Sequence, residues 1–270
     1  MFWTLTLCVV VVSAGCSSSS GKSSSPASTA AGGSQVATVT AGKERDYFIA
    51  ADEVKWNYAP LGFNAITGKP FDDVADTYVK AGPDRVGSTY TKCLYHGYTD
   101  ATFTKQPPRR PQDAYLGLLG PVIRAEVGVD REVFGLFSVM NENNTHYIDQ
   151  EIKALPQPPA DPGSDEFTES NLMHSINGHV FGNGPMVTVK KGERVRWYVM
   201  SMGTEVDLHT PHWHGTTVTV MGMRMDTVQL LPAGMVVADM VPDDVGIWLF
   251  HCHVNDHVTA GMLTRYQVVN

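Results

Sequence analysis

Residues 235–269 read MVVADMVPDDVGIWLFHCHVNDHVTAGMLTRYQVV. Three short apolar runs, Met235–Met240, Ile247–Phe250 and Leu263–Val269, lie between segments rich in Pro, Asp, Asn and Gly. Each run suits a strand, and none repeats apolar residues at helical spacing. The same texture extends back through Tyr47–Ala50, Gly120–Val127, Val133–Val139, Met186–Val189, Val195–Met200 and Thr216–Val220. Many short strands at close spacing predict an all-β sandwich. The stretch Leu155–Phe167 carries four Pro and several acids and reads as a loop.

The chain has 270 residues, with 20 basic against 28 acidic side chains and a formal net charge of −8. That length allows one large or two ordinary domains, and an apolar fraction of 43% is enough for a core. The acidic balance argues against a nucleic-acid binder, which needs a basic patch. Residues 1–16 read as a secretory leader, apolar from Phe2 to Val12 with small residues before Cys16. Such a site also suits lipid attachment to Cys16, which would tether the protein to a membrane. Residues 17–42 are Ser, Gly, Ala and Thr, with almost nothing to bury, and read as a flexible tether. The folded part is therefore expected outside the cytoplasm. Cys8 and Cys16 fall in or beside the leader, leaving Cys93 and Cys252 and no disulfide framework. Cys93 reads as a buried thiol.

Six of the ten His lie between His209 and His257. They fall in two segments, His209-Thr-Pro-His212-Trp-His214 and His251-Cys252-His253-Val-Asn-Asp256-His257, the second followed by Met262. Residues two apart on a strand share a face. His212 and His214 are thus expected to project together, as are His251 and His253, with Cys252 pointing the opposite way. Cys252, His257 and Met262 are spaced five apart, so one loop can offer a thiolate, an imidazole and a thioether. With His209 they make a two-His, one-Cys set with a weak axial Met, the donor pattern of blue copper. Zinc competes for Cys and His, but structural zinc favours paired Cys, and no C-x-x-C is present.

On these motifs the chain resembles the multicopper oxidases of the ceruloplasmin and hephaestin branch. Tyr47-Phe-Ile-Ala-Ala, Trp56-Asn-Tyr-Ala-Pro60, Tyr98-Thr-Asp-Ala-Thr and residues 117–126, GLLGPVIRAE, look like the opening of a cupredoxin domain. Asp130-Arg-Glu, Met173-His-Ser-Ile-Asn-Gly178 and the two His segments look like its last domain. The resemblance implies a cupredoxin-like Greek-key β-sandwich. It implies type 1 copper at His209, Cys252, His257 and Met262, type 2 copper at His212, and a type 3 pair at His214, His251 and His253. Together such coppers oxidise a donor and reduce dioxygen to water.

The family's three-copper cluster takes four H-x-H pairs, and this chain supplies two. The other two belong to the later half of domain one. Here Glu126-Val-Gly128 runs straight into Val129-Asp-Arg-Glu, which resembles the next domain's opening strand. Residues 43–128 thus read as a truncated first cupredoxin domain and 129–270 as the complete last one. A skipped coding segment and a natural deletion both account for this. Two-domain members of the family close into homotrimers, an interface that the truncation is expected to impair.

The branch oxidises ferrous iron through an E-S-N-x-M-H stretch and the Asp before the second type 1 His. Glu169-Ser-Asn-Leu-Met-His174 and Asp256 match, and Glu205 and Asp207 match acidic positions near the first type 1 His. Hard carboxylate oxygens suit iron. The resemblance thus implies ferroxidase activity with ferrous iron as the donor. The rivals are a laccase-like oxidase of phenols, which needs an open apolar pocket near His257, and an electron-transfer module keeping only type 1 copper. Met221, Met223 and Met225 alternate and are expected to share one strand face, as packing. Asn143-Asn-Thr145 is a glycosylation sequon.

Overall fold

The computed structural model describes residues 46–123, 128–202 and 208–270. The leader 1–16 with Cys16, the tether 17–42, Glu205, Asp207 and the end of the run Gly120–Val127 lie outside the described residues. The chain divides into two compact units, with described residues 46–50 and 97–107 in the first and 51–96 and 108–270 in the second. In the first, the Thr99 amide donates to the Lys105 carbonyl at 3.0 Å, closing a short loop. Asp100 caps that loop from within, accepting from the Thr102 amide at 2.9 Å.

Strands make up most of the regular secondary structure among the described residues and are numbered here in chain order. β1 (Phe48–Asn57) and β2 (Thr89–Tyr98) form a two-stranded sheet. A six-stranded sheet holds β3 (Arg131–Asn141), β4 (Leu172–Ile176), β6 (Val195–Ser201), β8 (Val218–Val220), β9 (Met223–Met225) and β10 (Met235–Met240) in the order β4-β3-β6-β10-β8-β9. A four-stranded sheet holds β5 (Val187–Lys190), β7 (Pro211–Trp213), β11 (Gly246–Cys252) and β12 (Leu263–Val269) in the order β5-β12-β11-β7. Within the two larger sheets, pairing is antiparallel except for β3 with β6 and β5 with β12. Among the described residues four short α-helices connect them: α1 (Asp73–Val79), α2 (Ile148–Ala154), α3 (Asp165–Ser170) and α4 (Asn255–Thr259).

The two larger sheets enclose one core, as the strand pattern predicts. β6 shows why: Val195, Trp197, Val199 and Ser201 are buried and alternate with half-buried residues, the period-two signature of a strand with one covered face. Trp197 packs at a tilt against Phe250 of the opposite sheet at 4.9 Å between centroids, and Phe137 meets the same ring edge-on at 5.2 Å. This is the cupredoxin-like sandwich. Asn177 fixes the turn after β4 with φ +52, a conformation Asn tolerates. Its side chain accepts from the Leu136 amide at 2.7 Å and donates to the Tyr115 and Phe134 carbonyls, both at 3.0 Å.

A second core forms where residues 56–90 meet the sandwich, around Tyr58, Tyr78, Tyr90, Met173 and Phe181. At its base Glu142 is fully buried. It accepts from the Tyr58 hydroxyl at 2.5 Å and from Lys92 Nζ at 2.6 Å. Removing one member of a buried ion pair strands the other charge. Glu142→Ala is expected to cost about 3–5 kcal/mol, read as a lower urea midpoint at unchanged slope. A loss below about 1 kcal/mol would mean the pair contributes no more than a surface one.

Four expectations need correction. Cys93 is exposed, not buried: β2 belongs to a two-stranded sheet, and Thr89, Cys93 and Tyr95 along it are all exposed. Residues 120–123 are not strand, and Pro121 removes a ladder donor there. The stretch 155–167 is not all loop, because α3 begins at Asp165, with Asp165 and Glu166 placed favourably in its first turn. Met221 does not share a strand face with Met223 and Met225; it sits in the turn before β9 at φ +50 and is almost wholly exposed.

Candidate metal centre

Two of the site's segments are neighbouring strands. β7 runs antiparallel to β11, pairing His212 with His251 and Pro211 with Cys252. The alternation along β11 sends Phe250 and Cys252 into the core and His251 to the other face, so the backbone itself separates the thiolate from the imidazoles. After β11 the chain turns through α4, which carries Asp256 and His257, and returns through Gly261 to Met262 and β12. Gly261 has φ +109, and a Cβ there would lie 2.8 Å from the Phe181 ring, so only Gly fits. The Met262 amide donates to the His257 carbonyl at 2.9 Å and the Cys252 amide to the Met262 carbonyl at 3.0 Å. These bonds tie three candidate ligands to one another.

Cys252 Sγ lies 3.6 Å from His257 Nδ1 and 3.8 Å from His209 Nδ1, and the two Nδ1 atoms are 3.2 Å apart. All three residues are buried, and Met262 is completely buried in the same core. Donor atoms about 2.0–2.3 Å from a shared ion, at tetrahedral or trigonal angles, stand roughly 3.3–3.7 Å apart. The triad has that size. Burial pushes the Cys252 thiol up, but His209, His257 and the amides of Thr210 and Val254 outweigh it and bring it down to about 6. A thiolate, two imidazoles and a buried thioether form a donor set that suits copper.

A second group gathers on the opposite face. His251 Nε2 lies 3.2 Å from His212 Nδ1 and 3.1 Å from His214 Nε2. His251 Nδ1 donates to the Cys252 carbonyl at 2.7 Å, which fixes the tautomer and leaves Nε2 as the ligand atom. Burial holds His251 below the ordinary imidazole value, as it does His212, so both present neutral rings. His253 does not join the converging nitrogens. It is exposed, with its ring 5.2 Å from that of His212 and 5.4 Å from that of His251.

The candidate iron residues gather near His257 of the thiolate site. The ring of His174 is 5.4 Å from that of His257. Its Nδ1 donates to the Leu172 carbonyl at 3.1 Å, leaving Nε2 for a ligand. Burial, then the neighbouring His257, lowers its pKa, while Glu169 and Asp256 act in the opposite sense. Both carboxylates are exposed. Glu169, His174 and Asp256 therefore share one neighbourhood, but their ligand atoms do not converge as those of the two His-containing groups do.

Sequence reasoning missed several contributors. The Thr210 amide donates to Cys252 Sγ at 3.4 Å. Asp226 lies 3.9 Å from His212 Nε2, and the Tyr266 hydroxyl donates to the His214 carbonyl at 2.5 Å. The Tyr78 hydroxyl donates to Glu169 Oε1 at 2.8 Å. Thr210 was within reach of inspection, since it adjoins His209; the others come from segments that carry no mark of the site.

The family model for multicopper oxidases matches residues 155–270. These residues form a multicopper oxidase domain. It holds Glu169, His174, Asp256 and all the candidate copper ligands, and copper is the cofactor of that family. The domain's relatives belong to the ceruloplasmin and hephaestin branch. Rat hephaestin is 28% identical over 85% of this chain and 30% of its own length. Rat ceruloplasmin is 30% identical over 84% of this chain and 31% of its own length. The human protein named Ferroxidase HEPHL1 is 28% identical over 87% of this chain and 30% of its own length. The chain thus spans less than a third of the length of these relatives. The hephaestin match runs over 346 aligned positions, whereas 85% of 270 residues is about 230, so about 116 positions lack a counterpart here. Among solved structures, a multicopper oxidase from Campylobacter jejuni matches with TM-score 0.40 at 15% identity, over 68% of this chain and 44% of that one.

Proposed function

We propose that the chain is an extracytoplasmic multicopper oxidase whose electron donor is ferrous iron. In this reading residues 129–270 are its last cupredoxin domain and 43–128 the remnant of its first. The observation that carries it is the position of His257. Its Nδ1 belongs to the thiolate triad, and its ring stands beside His174, whose Nε2 is available and whose surroundings include Glu169 and Asp256. His209, Cys252, His257 and Met262 would hold type 1 copper, and His212, His214, His251 and His253 half of the type 2 and type 3 cluster. Bound copper would supply one-electron acceptance and, in a complete cluster, four-electron reduction of dioxygen to water.

The chain's own residues do the rest. Exposed Glu169 and Asp256 attract a ferrous ion from solvent and give it hard oxygen donors, which favour Fe³⁺ over Fe²⁺ and so ease electron loss. Glu205 and Asp207, by their sequence positions, would add to that negative field. His174, held by Leu172, offers the third donor. His251 links the two metal sets through its bond to the Cys252 carbonyl. The missing imidazoles would come from an intact first domain, in a homotrimer from that of a neighbouring copy. By its sequence the leader would direct secretion, either as a plain signal or with a lipid on Cys16 as the membrane link; among the described residues no helix is long and apolar enough to cross a membrane.

The test uses the copper-loaded chain without oxygen and follows loss of its blue absorption on reduction. Asp256→Ala and Glu169→Ala are each expected to slow reduction by Fe²⁺ at limiting concentration about tenfold or more, and to leave reduction by hydroquinone unchanged. Equal rates with Fe²⁺ in wild type and both variants would favour the laccase-like reading.

A further inference from the structure

α1 precedes residue 128 in the chain, and α3 and β4 follow it. α1 packs on α3, and one residue of α1 reaches both Glu169 and His174. Tyr78 donates its hydroxyl to Glu169 Oε1 at 2.8 Å, and its ring meets that of His174 edge-on at 5.5 Å between centroids. Tyr78 is itself buried, in the core that includes Ala75, Val79, Met173 and Phe181, so it has little room to swing away.

This contact acts on the side chain that most needs it. Glu169 is exposed at the end of α3. A free glutamate in water samples many rotamers, and fixing them costs entropy when a ligand binds. The phenol engages Oε1 and leaves Oε2 with its lone pairs for a cation. On the other side the phenol ring limits the tilt of His174, whose Nδ1 is already committed to Leu172. Tyr78 thus touches two donors that come from different elements.

We propose that Tyr78 is a positioning residue for the ferrous substrate, holding Glu169 and His174 in place before iron arrives. The inference rests on the iron reading above. It gives the amino-terminal remnant a share in the substrate site, although every candidate ligand lies beyond residue 155. Tyr78 transfers no electron in this account; it lowers the ordering cost of binding.

The experiment compares copper-loaded wild type and Tyr78→Phe, which keeps the ring on His174 and removes only the hydroxyl. Blue absorption is followed, without oxygen, across a series of Fe²⁺ concentrations. The half-saturating Fe²⁺ concentration is expected to rise about tenfold while the limiting rate is retained. In a Glu169→Gln background the same substitution is expected to add nothing, because the two act as one unit. An unchanged half-saturation in Tyr78→Phe overturns the proposal. So does a shift that persists undiminished in the Glu169→Gln background, which would mean general loosening of α1. If wild type shows no saturation with Fe²⁺, or Glu169→Gln leaves it unaltered, the iron reading itself fails and the positioning role falls with it.

Discussion

Cys252→Ser is expected to abolish the blue absorption of the copper-loaded protein, not merely to weaken it. The colour of such a centre arises from a thiolate bound to copper, and the described triad contains one sulfur donor of that kind. Cys93 cannot replace it, since it sits exposed on β2, outside the group. A serine hydroxyl in the same core stays protonated and gives no such band. His212→Ala is the control. Its Nδ1 faces His251 rather than the thiolate, so the band should keep nearly its full intensity. Absorption spectra after copper loading decide the matter: colour surviving in Cys252→Ser would place the thiolate elsewhere.

The second large effect concerns oxygen. The chain has two H-x-H pairs, and the structure draws His212, His214 and His251 together while leaving His253 at the surface. The hephaestin match lacks about 116 positions here. Together these support an incomplete cluster. The chain as written should therefore consume oxygen slowly when given Fe²⁺, even with its blue centre filled. Inserting the family's missing segment between Gly128 and Asp130 should raise that rate by several orders of magnitude, because ligands that work as a unit are lost as a unit. An oxygen electrode and a copper count per chain measure it. Rapid turnover by the unmodified 270-residue chain would refute the account of the missing half.

Most of the strands, and the side chains that converge in the two groups, were legible in the sequence because each signal is local. β10 and β12 have the ends expected from their apolar runs. Cys252, His257 and Met262 fall within one strand–helix–strand turn, so spacing alone shows that they can meet. His209 is different: its approach to Cys252 depends on how β7 pairs with β11, which motif resemblance supplied and spacing did not. β2 was missed because its Thr, Lys, Tyr and His residues form no apolar run. Cys93 was misjudged because the residue type alone does not show how fully a strand face is covered. Tyr78 was invisible for a stronger reason. It lies 91 residues from Glu169, and an amphipathic helix with a buried Tyr looks the same whether it touches a ligand or only a core.

The main-chain bonds from Cys252 to Met262 and from Met262 to His257 also bear on how fast electrons can pass. A ligand frame secured to two sheet strands does not depend on the ion for its shape. A change of one unit in the ion's charge then meets dipoles that already point the right way and need not rearrange. In the proposed copper site the reorganisation energy would then stay small, and exchange with a donor would be governed by separation and driving force. With copper bound as proposed, the turn at Gly261 would thus serve the rate of reduction and reoxidation as much as the capture of metal.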